Sequence, residues 1–193
     1  SSDLPFDPLR ARPMDRQEFA RRRRALMGMM DTDAIAILPA APEAIRNRDV
    51  DYPYRQDSDL LYLTGFPEPE AIAVICPGRE HGEFVLFCRE RDPAREVWNG
   101  RRAGVEGATG IHGADDAFPI GDVDEILPGM IEGRERLFCT MGRYAEFDRR
   151  VMHWVNEVRD QVRSGSHAPT EFIALDHVLH DMRLFKTRGE LRA

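Results

Sequence analysis

The chain has 193 residues, enough for one full domain with a short appendage, and its 42% hydrophobic and 32% charged content is that of an ordinary globular protein. Twenty-seven basic against thirty-four acidic residues give a net charge of −7, which argues against nucleic acid as the main partner. No apolar run approaches the length of a membrane span and no signal pattern opens the chain, so no membrane partner is expected and the expected location is the cytoplasm.

Residues 1–14 carry three prolines and little apolar periodicity, and read as an extended arm. Asp15 with Glu18 forms a capping-box pattern that opens a helix running from Phe19 to Met30. The arginines Arg21, Arg22, Arg23 and Arg24 lie within it and read as a solvated helix face. Ala34–Leu38 is a buried strand ended by Pro39, and residues 40–57 read as a polar loop. Ser58 is placed as the cap of a short helix through Leu63, with Gly65 as its stop.

Ala71–Cys76 and Glu83–Cys88 read as two strands of a hairpin turning at Pro77-Gly78. Residues 95–102 and 104–110 look less regular. Val123–Ile131 looks helical, with Pro128 expected to end or kink it. Arg136–Met141 is a strand, and Tyr144–Val162 is the strongest helix, with Phe147, Val151, Trp154, Val155 and Val158 on one face. Phe172–Leu175 is a short strand and His177–Met182 a helical turn. Strands alternating with helices, plus one hairpin, predict an α/β fold with a mixed β-sheet flanked by helices.

Few motifs carry chemistry. Cys76, Cys88 and Cys139 stand apart, each ending an apolar run, and read as buried thiols rather than a zinc or redox site. Gly104, Gly107 and Gly110 lack the preceding strand and following Lys-Ser/Thr of a phosphate loop. His177 and His180 sit three apart on a helical turn, but no HExxH or Asp/His/Glu set supplies further metal ligands. No GxSxG elbow is present. The residues therefore offer no self-contained catalytic constellation and no metal site. Trp98, inside the charged segment 95–102, serves either as a contact or as a seal on the domain's own edge.

The segment from Asp51 to Phe66 is the most informative. It concentrates three tyrosines and four charged groups before closing on an apolar run and a glycine, as expected where rings hold polar heads in fixed positions. Tyr52-Pro-Tyr-Arg-Gln-Asp-Ser-Asp-Leu-Leu-Tyr-Leu-Thr-Gly-Phe66 strongly resembles the N-terminal domain of aminopeptidase P, the Xaa-Pro aminopeptidase. The same order of segments continues through Arg21–Arg24, Ala40–Glu43, Pro67–Ala71, Glu96–Arg102 and His180–Lys186.

The resemblance implies an N-terminal domain over residues 15–180, like that of creatinase and prolidase and built on a ribonuclease H-like motif. Residues 181–193 are then a linker and the start of a larger "pita-bread" catalytic domain, whose two manganese ions are held by two Asp, one His and two Glu. None of those ligands, and no catalytic residue, maps onto this chain. Tyr52, Tyr54, Arg55, Gln56, Ser58, Asp59, Tyr62 and Gly65 carry over as scaffold positions of the motif. The partners implied are the chain's own catalytic domain, further copies in a dimer of dimers, and Xaa-Pro peptides.

In such assemblies the tryptophan matching Trp98 leans over a neighbouring subunit's active site, and Asp49 matches a second boundary position. Asn99 departs from the family's aromatic there. The expected function is that of a non-catalytic domain supporting assembly and substrate pocket. The alternatives are a free-standing binding or oligomerisation module, or a domain of a prolidase- or creatinase-like hydrolase. Gly189–Ala193 looks like the start of a further helix without a terminator, which favours the first reading.

Overall fold

The computed structural model describes residues 16–47, 50–161 and 165–187, and the side chains of residues 50, 51, 98 and 99 lie outside that description. The expectations for the arm 1–14, the Asp15 cap, Asp49 and Gly189–Ala193 therefore fall outside the described residues.

Elements follow the order α1 (Arg16–Met27), β1 (Ala34–Pro39), β2 (Ile45–Asn47), β3 (Val50–Asp51), α2 (Ser58–Thr64), β4 (Ile72–Ile75), β5 (Phe84–Cys88), α3 (Pro93–Asn99), α4 (Gly104–Gly110) and β6 (Asp116–Pro119). A single 3-10 turn, Ile120–Asp122, leads into α5 (Val123–Ile131), and β7 (Arg136–Cys139), α6 (Ala145–Asp160), β8 (Glu171–Ala174) and α7 (Leu175–Leu184) complete the chain. The main sheet has the order β6-β5-β4-β1-β7-β8. β4 runs antiparallel to both β1 and β5, while β7 runs parallel to both β1 and β8. That is the expected mixed, ribonuclease H-like arrangement, with β6 added beside β5.

β1 is buried along its whole length because it lies between β4 and β7 with helices on both faces. Its side chains alternate between two cores. Ala34, Ala36 and Leu38 point to the side of α1, α2 and α7, whereas Ile35 and Ile37 point to α5 and α6. Trp154 fills the second core, wholly buried, with its indole N–H donating to Asp124 at 2.8 Å.

Three differences from the sequence reading have physical causes. Residues 40–57 contain the small antiparallel β2–β3 pairing, Ile45 opposite Asp51 and Asn47 opposite Val50, continued by a hydrogen bond from Tyr52 N–H to the Ala44 carbonyl at 2.9 Å. The irregular stretches form α3, capped by Asp92 with Pro93 in its first turn, and α4, so three glycines did not prevent a helix once packed on β5 and β6. β6 was not anticipated; it extends the sheet by pairing with β5. α5 spans Val123–Ile131 as expected and ends within a turn of Pro128.

Candidate functional site

Helix α2 sits inside the tyrosine-rich segment and is fixed at both ends. Its cap is Asp57 rather than Ser58: the Asp57 Oδ1 accepts the backbone N–H of Asp59 at 2.9 Å and of Leu60 at 3.2 Å. The other end turns at Gly65, whose φ of 64° is left-handed and whose N–H returns to Leu61 at 2.9 Å. A Cβ at Gly65 would lie 2.4 Å from the Phe19 ring, so both backbone and space require glycine.

Arg22 and Arg23 of the α1 arginine run finish this capping, which overturns the solvated-face reading for those two, while Arg21 and Arg24 are exposed as expected. Arg22 and Arg23 are buried, 3% and 6% exposed, and donate to the backbone carbonyls of Tyr62 at 3.0 Å and Leu63 at 2.9 Å. Each guanidinium lies over a ring, Arg22 at 4.1 Å from the Tyr62 centroid and Arg23 at 4.0 Å from that of Phe84. Burial lowers the Arg23 guanidinium to about 10, leaving it charged at neutral pH. The pattern was present in the sequence, because positions 19, 22, 23 and 26 share the i, i+3, i+4, i+7 spacing of a buried stripe.

Gln56 ties the segment to its surroundings. Its Oε1 accepts from the N–H groups of Ala41 (3.0 Å) and Asp57 (2.8 Å), and its Nε2 donates to the carbonyls of Phe66 (3.2 Å) and Glu68 (2.6 Å). The Tyr54 hydroxyl reaches the Ala41 carbonyl at 3.0 Å, and burial pushes its pKa up.

The charged groups close on partners far away in sequence. Asp57 Oδ2 accepts from Arg143 and from the Tyr144 hydroxyl, both at 2.9 Å. Burial and that bond push Tyr144 up to about 12. Asp59 is fully buried, with Oδ1 at 2.7 Å from Arg183 and Oδ2 at 3.5 Å from Arg143. The Tyr62 hydroxyl donates to the Met182 carbonyl at 3.2 Å. Two carboxylates thus face two guanidiniums, and the charge of the cluster is balanced.

Chemically, this is a clamp. It fastens the end of α7, the helix carrying Met182 and Arg183, to α2, and the loop before α6 to the same point. Its acids are spent on cations and backbone, and no nucleophile stands among them. Tyr54, Gln56, Asp59, Tyr62 and Gly65 come together in it, with Ser58 half-buried on α2. Tyr52 and Arg55 are exposed and lie apart from this network. Sequence reasoning omitted Asp57 from the site and missed Arg143 and Tyr144, which no spacing links to residues more than eighty positions earlier.

Elsewhere, His177 and His180 are both exposed on α7. Among the described residues no three His, Cys, Asp or Glu groups converge to hold a metal ion. The cysteines are free and buried, and burial pushes Cys88 and Cys139 up to about 12. Among the described residues no helix is long and apolar enough to cross a membrane.

Comparison with known proteins adds the family context. A family model described as "Aminopeptidase P, N-terminal domain" matches residues 19–138. The Xaa-Pro aminopeptidase of Escherichia coli K12 is 39% identical over 179 residues, covering 92% of this chain and 41% of that protein. The Xaa-Pro aminopeptidase of Haemophilus influenzae is 30% identical, covering 93% and 39%. Among solved structures, aminopeptidase PepP of Pseudomonas aeruginosa superposes with a TM-score of 0.90 at 62% identity, covering 92% of this chain and 40% of that one. The chain thus spans about two fifths of the length of the relatives it matches.

Proposed function

This chain belongs to the aminopeptidase P N-terminal domain family, and from that premise we propose that it is the non-catalytic, positioning part of a Xaa-Pro aminopeptidase. The parent enzyme releases the N-terminal residue from peptides with proline in second position. The observation that carries this reading is the balanced charge of the clamp: Asp57 and Asp59 are both consumed in holding Arg143 and Arg183, so the family motif positions α7 rather than performing hydrolysis.

Two manganese ions belong to this reading of the parent, but the described residues here do not fit them, because no set of carboxylates and imidazoles converges. No catalytic step is therefore assigned to these side chains. The partner is a catalytic domain following α7. Leu184 and Phe185, 70% and 84% exposed at the end of the helix that the clamp holds, offer it an apolar surface. In a cytoplasmic homotetramer, α3 carries Trp98 to a neighbouring subunit's substrate pocket, and Asp49 belongs to a subunit boundary. Val97 next to Trp98 is 79% exposed, which supports an outward-facing helix.

The test compares a parent-length gene product with this chain on a Xaa-Pro peptide and a Xaa-Ala control, with manganese and with a chelator. Release of the first residue from the Xaa-Pro peptide by the parent alone, lost with chelator, is expected. An inert parent, or hydrolysis by this chain alone, overturns the reading.

A further inference from the structure

A groove of about 550 Å³ opens where β1 ends. Pro39, Pro42 and Pro69 provide flat apolar walls, and Tyr144 and Phe147 line it with rings. Tyr144 is held in place because its hydroxyl is bound to Asp57. Glu43, Glu70 and Glu146 stand at the groove with a single cation, Arg150, and that guanidinium is already committed to Asp124 at 2.9 Å. The nearest cation to Glu70 is Arg89, at 3.8 Å, and Glu70 remains 58% exposed. Glu146 pairs with Arg149 on its own helix surface.

The backbone supplies a second, independent observation. Among the described residues Glu70 is the non-glycine residue with positive φ, at 51°. A side chain with Cβ adopts that conformation at a cost that asparagine or glycine would largely avoid. The strained residue lines the groove with an exposed carboxylate.

We propose that this groove binds an extended, proline-bearing peptide segment that carries an arginine or lysine. Rings and prolines accept the flat faces of a polyproline II helix, which docks with little loss of entropy. The carboxylates lining the groove meet the cation and repel an acidic segment. Addition of a β-strand is ruled out at this place, because β1 is already paired on both sides by β4 and β7. The proposal rests on the groove and is independent of the parent's catalysis, since it is read by binding without hydrolysis.

The test uses this chain and a fluorescent peptide, Pro-Arg-Pro-Leu-Pro-Arg-Pro, followed by anisotropy. Saturable one-to-one binding with Kd below about 1 mM is expected. Replacing Arg by Glu in the peptide should abolish binding, and replacing its prolines by Ala should weaken it. The double variant Glu43→Gln/Glu70→Gln should bind about tenfold more weakly. Ala145→Trp, placed on the exposed first turn of α6 where it lines the groove, should block binding while the melting temperature is kept. Glu70→Gly separates the proposal from a purely structural role: the melting temperature should rise as binding falls. Absence of saturable binding, equal binding of the Glu peptide, or binding insensitive to Ala145→Trp overturns the proposal. A dimer that Ala145→Trp dissociates, without peptide binding, assigns the groove to a second copy and also overturns it.

Discussion

The carboxylate of Asp59, fully buried, receives the guanidinium of Arg183 at 2.7 Å across 124 positions of sequence. One partner lies in the tyrosine-rich segment and the other at the end of α7, so the pair joins the first third of the chain to its last helix. A buried ion pair adds little net stability over an apolar pair, but removing one partner strands the other charge.

Asp59→Ala should therefore destabilise the domain at the lower end of about 3–5 kcal/mol, because Arg183 and Arg143 are 35% and 41% exposed and recover some hydration. Denaturant unfolding of Asp59→Ala, Arg183→Met and the double variant forms a cycle with an expected coupling of about 1–2 kcal/mol. Additive single effects would show that the two side chains do not act together.

Gly65→Ala meets two obstacles, the left-handed φ of 64° and the Phe19 ring 2.4 Å from the new Cβ. The backbone alone accounts for about 1–2 kcal/mol. Pairing it with Phe19→Leu should relieve the collision and leave the backbone cost. Melting temperatures of both variants distinguish the two contributions.

The thiols predict behaviour at high pH. Burial raises Cys88 and Cys139 from 9.0 to about 12 in the folded chain, so the folded state keeps protons that the unfolded state loses. Their contribution is complete below pH 9 and is lost as pH rises toward 12, at about 1.4 kcal/mol per pH unit for each thiol. Unfolding titrations at pH 8 to 11 should steepen in the native chain and flatten in Cys88→Val/Cys139→Val. Thiol labelling at pH 8 should be slow until denaturant is added.

In the parent-length enzyme, Trp98→Ala should lower kcat/KM on a Xaa-Pro peptide by about tenfold or more while the oligomer stays intact, as for a contact anchor worth over 1 kcal/mol. Sedimentation run beside the kinetics separates lost contact from lost assembly. An unchanged kcat/KM with an intact assembly would remove Trp98 from the pocket.

Much of the sheet was legible because β1, β4 and β5 are unbroken apolar runs and β7 carries Leu137-Phe138-Cys139, and α6 because Phe147, Val151, Trp154, Val155 and Val158 repeat at helical spacing. β6 was hidden because Asp116-Ala-Phe-Pro119 is short and becomes a strand only when β5 lies beside it. The burial of Arg22 and Arg23 was written in the helical spacing of positions 19, 22, 23 and 26 but masked by residue type. Residue type argues for solvent, and the carbonyls of Tyr62 and Leu63 with the rings of Tyr62 and Phe84 make a buried cation tolerable. The clamp itself was half legible: the motif announced fixed polar heads, but Arg143 and Tyr144 reach it through the fold alone.

Native-state hydrogen exchange of α7 in the wild-type chain and in Asp59→Asn tests the clamp most directly. The account expects the α7 amides to lose about tenfold or more of their protection in the variant, while the β1 and β4 amides keep theirs. Unchanged protection of α7 would mean that the tyrosine-rich segment does not hold the last helix, and the positioning role would fail.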